Sequence, residues 1–348
     1  MATPRAEPTL ILWDLVGSCN LRCPSCPMGS MPGVNPKGFI ADELFHAMLA
    51  KLQRDFVKCR QLHFYNWTEP LLHPRIVEYC RAAADAGFHV HLSSNLNHLK
   101  DAAALLTSGI KTFRISLSGF TQEVYAIGHR GGYIDKVKRN MRLLADAKRA
   151  GNSRRGARVH VYFHKYRHNL HEIAPMEAFA RELGFDFLAD WAFLMPLEKL
   201  LAYADGMAGE TERAFADEFI LPPVNQALAA TQPFRARGCE LIEQLVLDHR
   251  GRALLCCATF DTKANVIGDY LELDWPEMQH RRYAHSMCGT CMSHGAHVLY
   301  TNVSDPALRA EIATLAERAI SSPPAAPSRD SIALPILREA HPALAKSA

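Results

Sequence analysis

Two hydrophobic rhythms alternate along the chain from residue 9 to residue 194. Short apolar runs rich in β-branched and aromatic residues fall at 9–16, 61–67, 89–94, 112–118, 158–164 and 185–194. Their length and composition predict strands. Between them, 41–54, 74–86, 99–107, 134–150 and 171–183 repeat apolar residues at the helical period. Gly87, Gly109, Gly151 and Gly184 each follow such a stretch, where a left-handed residue closes a helix. Pro74 stands where a helix tolerates proline, in its first turn. Alternating strands and helices predict an α/β fold built on a parallel sheet. The pattern alone fits a six-unit open barrel and a doubly wound sheet equally. In either fold, functional groups gather at the carboxyl ends of the strands.

Beyond residue 194 the rhythm weakens. The stretch 195–232 holds Pro196, Gly206, Gly209, Pro222 and Pro223 and reads as one or two helices and a linker. Residues 245–248 and 252–257 read as two short strands joined by His249-Arg250-Gly251, a hairpin. A helix is expected at 306–320, then a proline-rich linker at 321–328. The last ~20 residues read as a mobile tail or a short docking helix. The expected division is a barrel domain at 1–200, a helical linker at 201–235, a small cysteine-bearing domain at 236–300 and a helix with tail at 301–348.

Composition leaves this picture unchanged. At 348 residues, 48% apolar and 22% charged, the chain can bury a substantial core. A net charge of +3 is too slight to point to nucleic acid or a membrane surface. No apolar run approaches the ~18 residues of a membrane span, and Glu7 interrupts what would be a signal peptide. The ten cysteines therefore read as metal ligands in a reducing cytoplasm rather than as a disulfide framework. Trp13, Trp67 and Trp191 lie on or beside expected strands and read as packing residues, with Trp67 the best placed to be an exception.

The chemistry concentrates in Cys19-Asn20-Leu21-Arg22-Cys23-Pro24-Ser25-Cys26, directly after the first strand. Three thiolates on one tight loop hold three corners of a 4Fe–4S cubane and leave the fourth iron open, because a fully protein-bound cluster takes four cysteines. A zinc knuckle, or three unrelated buried thiols, is the plainer reading. Zinc sites, however, usually supply paired C-x2-C modules or two histidines. The octet resembles the signature loop of the radical S-adenosylmethionine (radical SAM) superfamily. That resemblance implies a partial (β/α)6 TIM-like barrel. It also implies SAM chelated to the open iron and cleaved to a 5′-deoxyadenosyl radical that takes hydrogen from a substrate.

Further elements extend the resemblance. Trp67-Thr68-Glu69-Pro70 stands where the family has Gly-Gly-Glu-Pro against the SAM amino group, with both glycines replaced. The contact is then expected from Glu69 or from main-chain carbonyls. Read without the family, Glu69-Pro70 is a surface turn. Ser94 and Asn95 end the third strand and Ser116 lies near the end of the fourth. The family implies SAM contacts for them, although capping and turns are commoner roles for such residues. Arg130, in a glycine-rich turn, suits the SAM carboxylate and reads equally as a solvated loop arginine. The polar run 163–169 at the end of the fifth strand is a candidate lining of the same mouth, with no role assigned.

A second cysteine region holds Cys239, Cys256, Cys257, Cys288 and Cys291. A hairpin and a C-x2-C turn present thiolates from separate sites, and four of them close a complete cluster. A zinc site with four cysteine ligands is the alternative. The layout resembles the SPASM or twitch extension of radical SAM enzymes, which implies one auxiliary 4Fe–4S cluster on Cys239, Cys256, Cys288 and Cys291. No cysteine follows Cys291 to hold another. Cys257 is spare, either a buried packing residue or a thiol that returns hydrogen to a substrate radical. The expected cofactors are thus SAM and two 4Fe–4S clusters. The expected reaction is oxidation of a small molecule, with a peptide substrate or a redox-neutral epimerisation as alternatives. Flavodoxin or ferredoxin is the expected reductant. Only about eight residues precede the first strand, which tilts the expectation from a leader-bearing peptide toward a small molecule. An iron–sulfur electron carrier and a zinc-binding interaction module are the readings from other classes.

Overall fold

The computed structural model describes residues 6–151, 156–301 and 304–321. The proline-rich linker beyond Ser321 and the tail lie outside the described residues. Six strands carry the core: β1 (Leu10–Trp13), β2 (Gln61–His63), β3 (His89–Ser94), β4 (Thr112–Leu117), β5 (Arg158–Lys165) and β6 (Asp186–Trp191). They run parallel in the order β6-β5-β4-β3-β2-β1. The crossovers carry helices α1 (Pro27–Ser30), α2 (Asp42–Asp55), α3 (Ile76–Asp85), α4 (Ala102–Thr107), α5 (Gln122–Gly128), α6 (Ile134–Arg149) and α7 (Ile173–Glu182).

The period of two along each strand sorts its side chains. Val90, Leu92, Phe113, Ile115, Val159, Val161 and Phe163 are buried in one continuous core with Leu105, Met141, Leu144 and Met176 of the helices. The opposite face carries His63, His91, Arg114, Ser116, His160, Tyr162 and His164, all half-buried. A doubly wound sheet needs apolar residues on both faces. This sheet is apolar on its helix side and polar within, which is a partial barrel of the (β/α)6 kind.

β7 (Gln244–Leu247) continues the sheet by pairing in parallel with β1, from Leu10 opposite Gln244 to Trp13 opposite Leu247. β8 (Arg252–Leu254) and β9 (Val266–Asp269) then add antiparallel strands. The cysteine-bearing C-terminal part is therefore hydrogen-bonded to the first strand of the barrel. Helices α8 (Leu197–Ala204), α9 (Glu210–Phe219) and α10 (Val224–Thr231) precede it. α11 (Trp275–Tyr283), α12 (Ser286–Ser293), α13 (Ala296–Tyr300) and α14 (Pro306–Ser321) follow it. Among the described residues no helix is long and apolar enough to cross a membrane.

Several boundaries differ from the pattern reading for identifiable reasons. β1 and β2 stop short of 16 and 67. The Asn66 and Trp67 amides donate to the Asp14 carboxylate at 2.8 and 3.1 Å instead of extending the ladder. α4 starts at 102 rather than 99, because the Asp101 carboxylate caps it by accepting the Ala104 amide at 2.9 Å. The stretch 195–232 holds three helices, not one or two, each too short for a helical period to register. β9, α5 and α11 to α13 were not expected either.

Leu245 of β7 is fully buried opposite Ile11. Leu245→Ala should cost about 2–5 kcal/mol. Because β7 is part of the barrel sheet, that loss should shift one urea transition of the whole chain, followed by tryptophan fluorescence. A separate early transition confined to the C-terminal part would contradict the shared sheet.

Candidate functional site

The first thiol loop begins one turn beyond β1. The Cys26 amide donates to the Cys23 carbonyl at 3.2 Å, and Gly29 and Ser30 donate back to the Cys26 carbonyl at 3.0 Å each, so Cys26 starts α1. Gly29 permits this seat. A Cβ there would lie 2.4 Å from the Cys23 carbonyl oxygen. The loop is fastened from three sides. The Arg22 amide donates to the Arg130 carbonyl at 2.9 Å. The Tyr166 hydroxyl donates to Ser25 Oγ at 2.8 Å. Asn95 Nδ2 donates to Asn20 Oδ1 at 2.9 Å and reaches Cys19 Sγ at 3.6 Å. Burial and the neighbouring Glu69 push the Cys19 thiol up to about 12. Burial pushes Cys26 up to about 11. Burial, then the charges of Cys26 and Cys19, raise Cys23 well above the ordinary thiol range.

Glu69 is buried and turned inward. Its carboxylate accepts the Asn95 amide at 2.9 Å and the Leu71 amide at 3.1 Å, and it hydrogen-bonds Ser94. Ser94 Oγ in turn accepts the Leu96 amide at 2.9 Å. Glu69, Ser94, Asn95 and Cys19 thus form one network joining the ends of β2 and β3 to the thiol loop. Ser116 lies apart from it, with its hydroxyl 2.9 Å from His164 Nε2. Burial, with Arg114 nearby, holds that imidazole down to about 3, so it is neutral. Arg130 lies beside Cys23 and lines a cavity of about 540 Å³ with Arg22, Leu194, Met195, Lys199 and Phe215.

Asp14 was not anticipated. This buried carboxylate accepts the Asn66 and Trp67 amides and the Thr68 hydroxyl, the last at 2.8 Å. It fixes the backbone at the two positions where the family has glycine, and leaves the Trp67 carbonyl 4.0 Å from Cys26 Sγ. The only cue in the sequence is an acid closing an apolar strand. Trp67 does more than pack, since its indole N–H donates to the Thr259 carbonyl at 2.8 Å.

That carbonyl belongs to the second thiol region. Cys239 precedes a short 3-10 turn, Cys256 follows β8, and Cys288 and Cys291 lie one turn apart on α12. Cys239, Cys256 and Cys288 each lie within electrostatic reach of Cys291. Burial pushes Cys239 up to about 12 and Cys288 up to about 11. The Cys256 and Cys257 thiols hydrogen-bond each other, which lowers Cys256 and raises Cys257. The loop after them is held by Glu198 Oε1, which accepts the Phe260 and Asp261 amides at 2.9 and 3.1 Å. Asn35 accepts the Thr262 amide at 2.9 Å from the other side. Loop 256–265 therefore joins the second thiol set to the Trp67 turn beside the first.

Among the described residues no three His, Cys, Asp or Glu side chains close on a point that would hold a single metal ion. An iron–sulfur cube spreads its ligands over several irons, and thiol-only donor sets at both places suit that chemistry.

Glu69 supplies a test of the network. Burial raises its carboxyl from 4.5 to about 7 against the opposing hydrogen bonds. The folded chain then holds a proton that the unfolded chain has lost, so this contribution to stability is full below 4.5 and is lost as pH rises through about 7. The parent apoprotein should lose more urea resistance between about pH 5 and about pH 8 than Glu69→Gln does. Equal pH slopes would place Glu69 in water.

A family model described as the Radical SAM superfamily matches residues 14–164, which contain the thiol loop, Glu69, Asn95, Ser116 and Arg130. No curated protein matches the sequence. Solved structures with similar folds include native anSMEcpe with bound AdoMet, at 14% identity and a TM-score of 0.52 over 80% of this chain and 82% of that one. SuiB of Streptococcus suis bound to the precursor peptide SuiA is another, at 13% identity and a TM-score of 0.55 over 83% of this chain and 68% of that one. At these identities the likeness is one of fold. The matched segment carries the three-thiol loop at the carboxyl end of β1, so residues 14–164 are similar to the radical SAM superfamily.

Proposed function

We propose that the chain is a radical SAM oxidoreductase that oxidises a small molecule or a peptide. Cys19, Cys23 and Cys26 would hold the SAM-binding 4Fe–4S cluster, and Cys239, Cys256, Cys288 and Cys291 an auxiliary one. When bound, the first cluster and SAM supply the radical that removes hydrogen from substrate. A cluster held by the second set would supply the one-electron acceptor that a dehydrogenation requires once the substrate radical has lost a proton. The observation that carries this reading is the bridge from Trp67 to Thr259, which joins a three-thiol loop to a four-thiol set.

The inward-turned Glu69 refines the SAM contacts. Its carboxylate is spent on backbone donors, so the SAM amino group falls to main-chain carbonyls at Trp67 and Thr68. Glu69, Ser94 and Asn95 hold the loop. Arg130, which lines the cavity beside the thiol loop, would face the SAM carboxylate, and Ser116 would meet SAM from the polar inner side of the sheet.

A second reading rests on Cys257, a thiol held against Cys256 with no partner role in the cluster. In a redox-neutral epimerisation it would return hydrogen to the substrate radical.

The class is tested by anaerobic reconstitution with iron and sulfide, followed by SAM and a strong reductant. The parent should form 5′-deoxyadenosine, and the variant with Cys19, Cys23 and Cys26 all changed to Ala should form none. Equal yields would remove the radical SAM assignment of the loop. Cys288→Ala should keep deoxyadenosine formation and lose substrate conversion by at least about tenfold, a loss of about 1.4 kcal/mol in transition-state stabilisation. Cys257→Ala should leave dehydrogenation intact. Product loss in that variant alone would favour epimerisation.

A further inference from the structure

Arg282 has no exposed surface, and among the described residues its hydrogen bonds go to backbone carbonyls and none to a carboxylate. A buried guanidinium without an anion is costly, and one remains buried only where a negative charge answers it. Its hydrogen bonds go to three carbonyls. Nη1 donates to Ile242 at 3.1 Å and to Gln244 at 2.6 Å, and Nη2 donates to Leu254 at 2.8 Å. Its Nε has no partner. Trp275 covers one face, 5.6 Å from the guanidinium carbon to the ring centre.

Those carbonyls belong to the segments that present the thiols. Ile242 and Gln244 follow Cys239, and Leu254 precedes Cys256. The Arg282 carbonyl itself accepts the His285 amide at 3.1 Å, and His285 caps the helix that carries Cys288. The guanidinium lies within electrostatic reach of Cys239, Cys256, Cys257 and Cys288. Glu198 also lies near Cys256, with a weaker effect there than Arg282 has. Burial lowers Arg282 to about 10, so the cation persists at neutral pH.

We infer that Arg282 is the built-in counter-charge of the second thiol set, raising the reduction potential of the cluster held there and so favouring its role as electron acceptor. This rests on the auxiliary cluster proposed above. A cluster on four thiolates is anionic and becomes more so when it takes an electron. A fixed cation beside it stabilises the reduced form more than the oxidised one. The Arg282 Nε–H is a buried donor without a partner, and hydrogen bonds to the sulfurs tune cluster potentials.

The test uses the full chain with Cys19, Cys23 and Cys26 changed to Ala, so that only the second site can hold a cluster. Iron and sulfide content, Mössbauer spectra and an EPR-monitored redox titration are the readouts, with no substrate. Arg282→Gln should lower the reduction equilibrium at least tenfold, about 59 mV toward negative potential for one electron. Arg282→Lys, which keeps the charge and loses the planar fork, should stay nearer the parent. Loss of the cluster from Arg282→Gln alone, with Arg282→Lys loaded, also supports the counter-charge. An unchanged potential in a loaded Arg282→Gln overturns it. Equal loss of cluster and fold in both variants overturns it too, and leaves Arg282 as a hydrogen-bonding hub. A parent that assembles no 4Fe–4S cluster in this background removes the auxiliary cluster itself, which is a different failure.

Discussion

The carboxylate of Asp14 sets the geometry on which both thiol regions depend. It is buried at the end of β1, where an ionised acid is tolerated only when donors surround it. Asn66, Trp67 and Thr68 supply those donors from the end of β2. Holding that turn puts the Trp67 carbonyl beside Cys26 and aims the Trp67 indole at the loop after Cys257. Glycine at these positions would bring the backbone close to a ligand through conformational freedom. Here Trp67 and Thr68 reach a fixed geometry through hydrogen bonds, and the tryptophan side chain then serves as the strut between the two thiol regions.

The sheet makes that strut possible. Pairing β7 with β1 sets the hairpin bearing Cys256 beside the strand that leads into the Cys19 loop. An apolar helix side and a polar inner side follow from the alternation along β2 to β5. The polar side needs its own balance. Arg114 lies between Tyr65 and Tyr162, 4.7 and 5.1 Å from their ring centres, and its Nε donates to Ser93 Oγ at 2.8 Å. Burial holds His63 and His164 each down to about 3, so the cation there is the arginine and the histidines stay neutral.

Much of this was legible in the sequence. A strand has a period of two and a cysteine triad has fixed spacing, so both are local signals. All six barrel strands lie inside the expected runs except β5, which extends one residue to Lys165. What local pattern missed was decided by contacts distant in sequence. The Asp14 network spans more than fifty residues, and Trp67 meets Thr259 across 192. Arg282 looked like any charged residue near a helix end, with Arg281 beside it in an exposed pair with Glu277. Only the sheet reveals that one of the two points inward at three carbonyls. Glu69 was legible as a position and not as a role, because the turn of its carboxylate toward the amides of Leu71 and Asn95 is a tertiary fact.

The charges around the two thiol sets differ in kind. Near the first set, Glu69 acts against a thiolate at Cys19 and Asp14 against one at Cys26, while Arg130 offsets part of this at Cys23. Near the second set Arg282 favours thiolate at Cys256 and Cys288, and Glu198 opposes it more weakly at Cys256 alone. Carboxylates thus stand beside the first loop and a guanidinium beside the second set, while burial raises most thiols of both. Buried charges keep their influence, because they are screened far less than surface pairs.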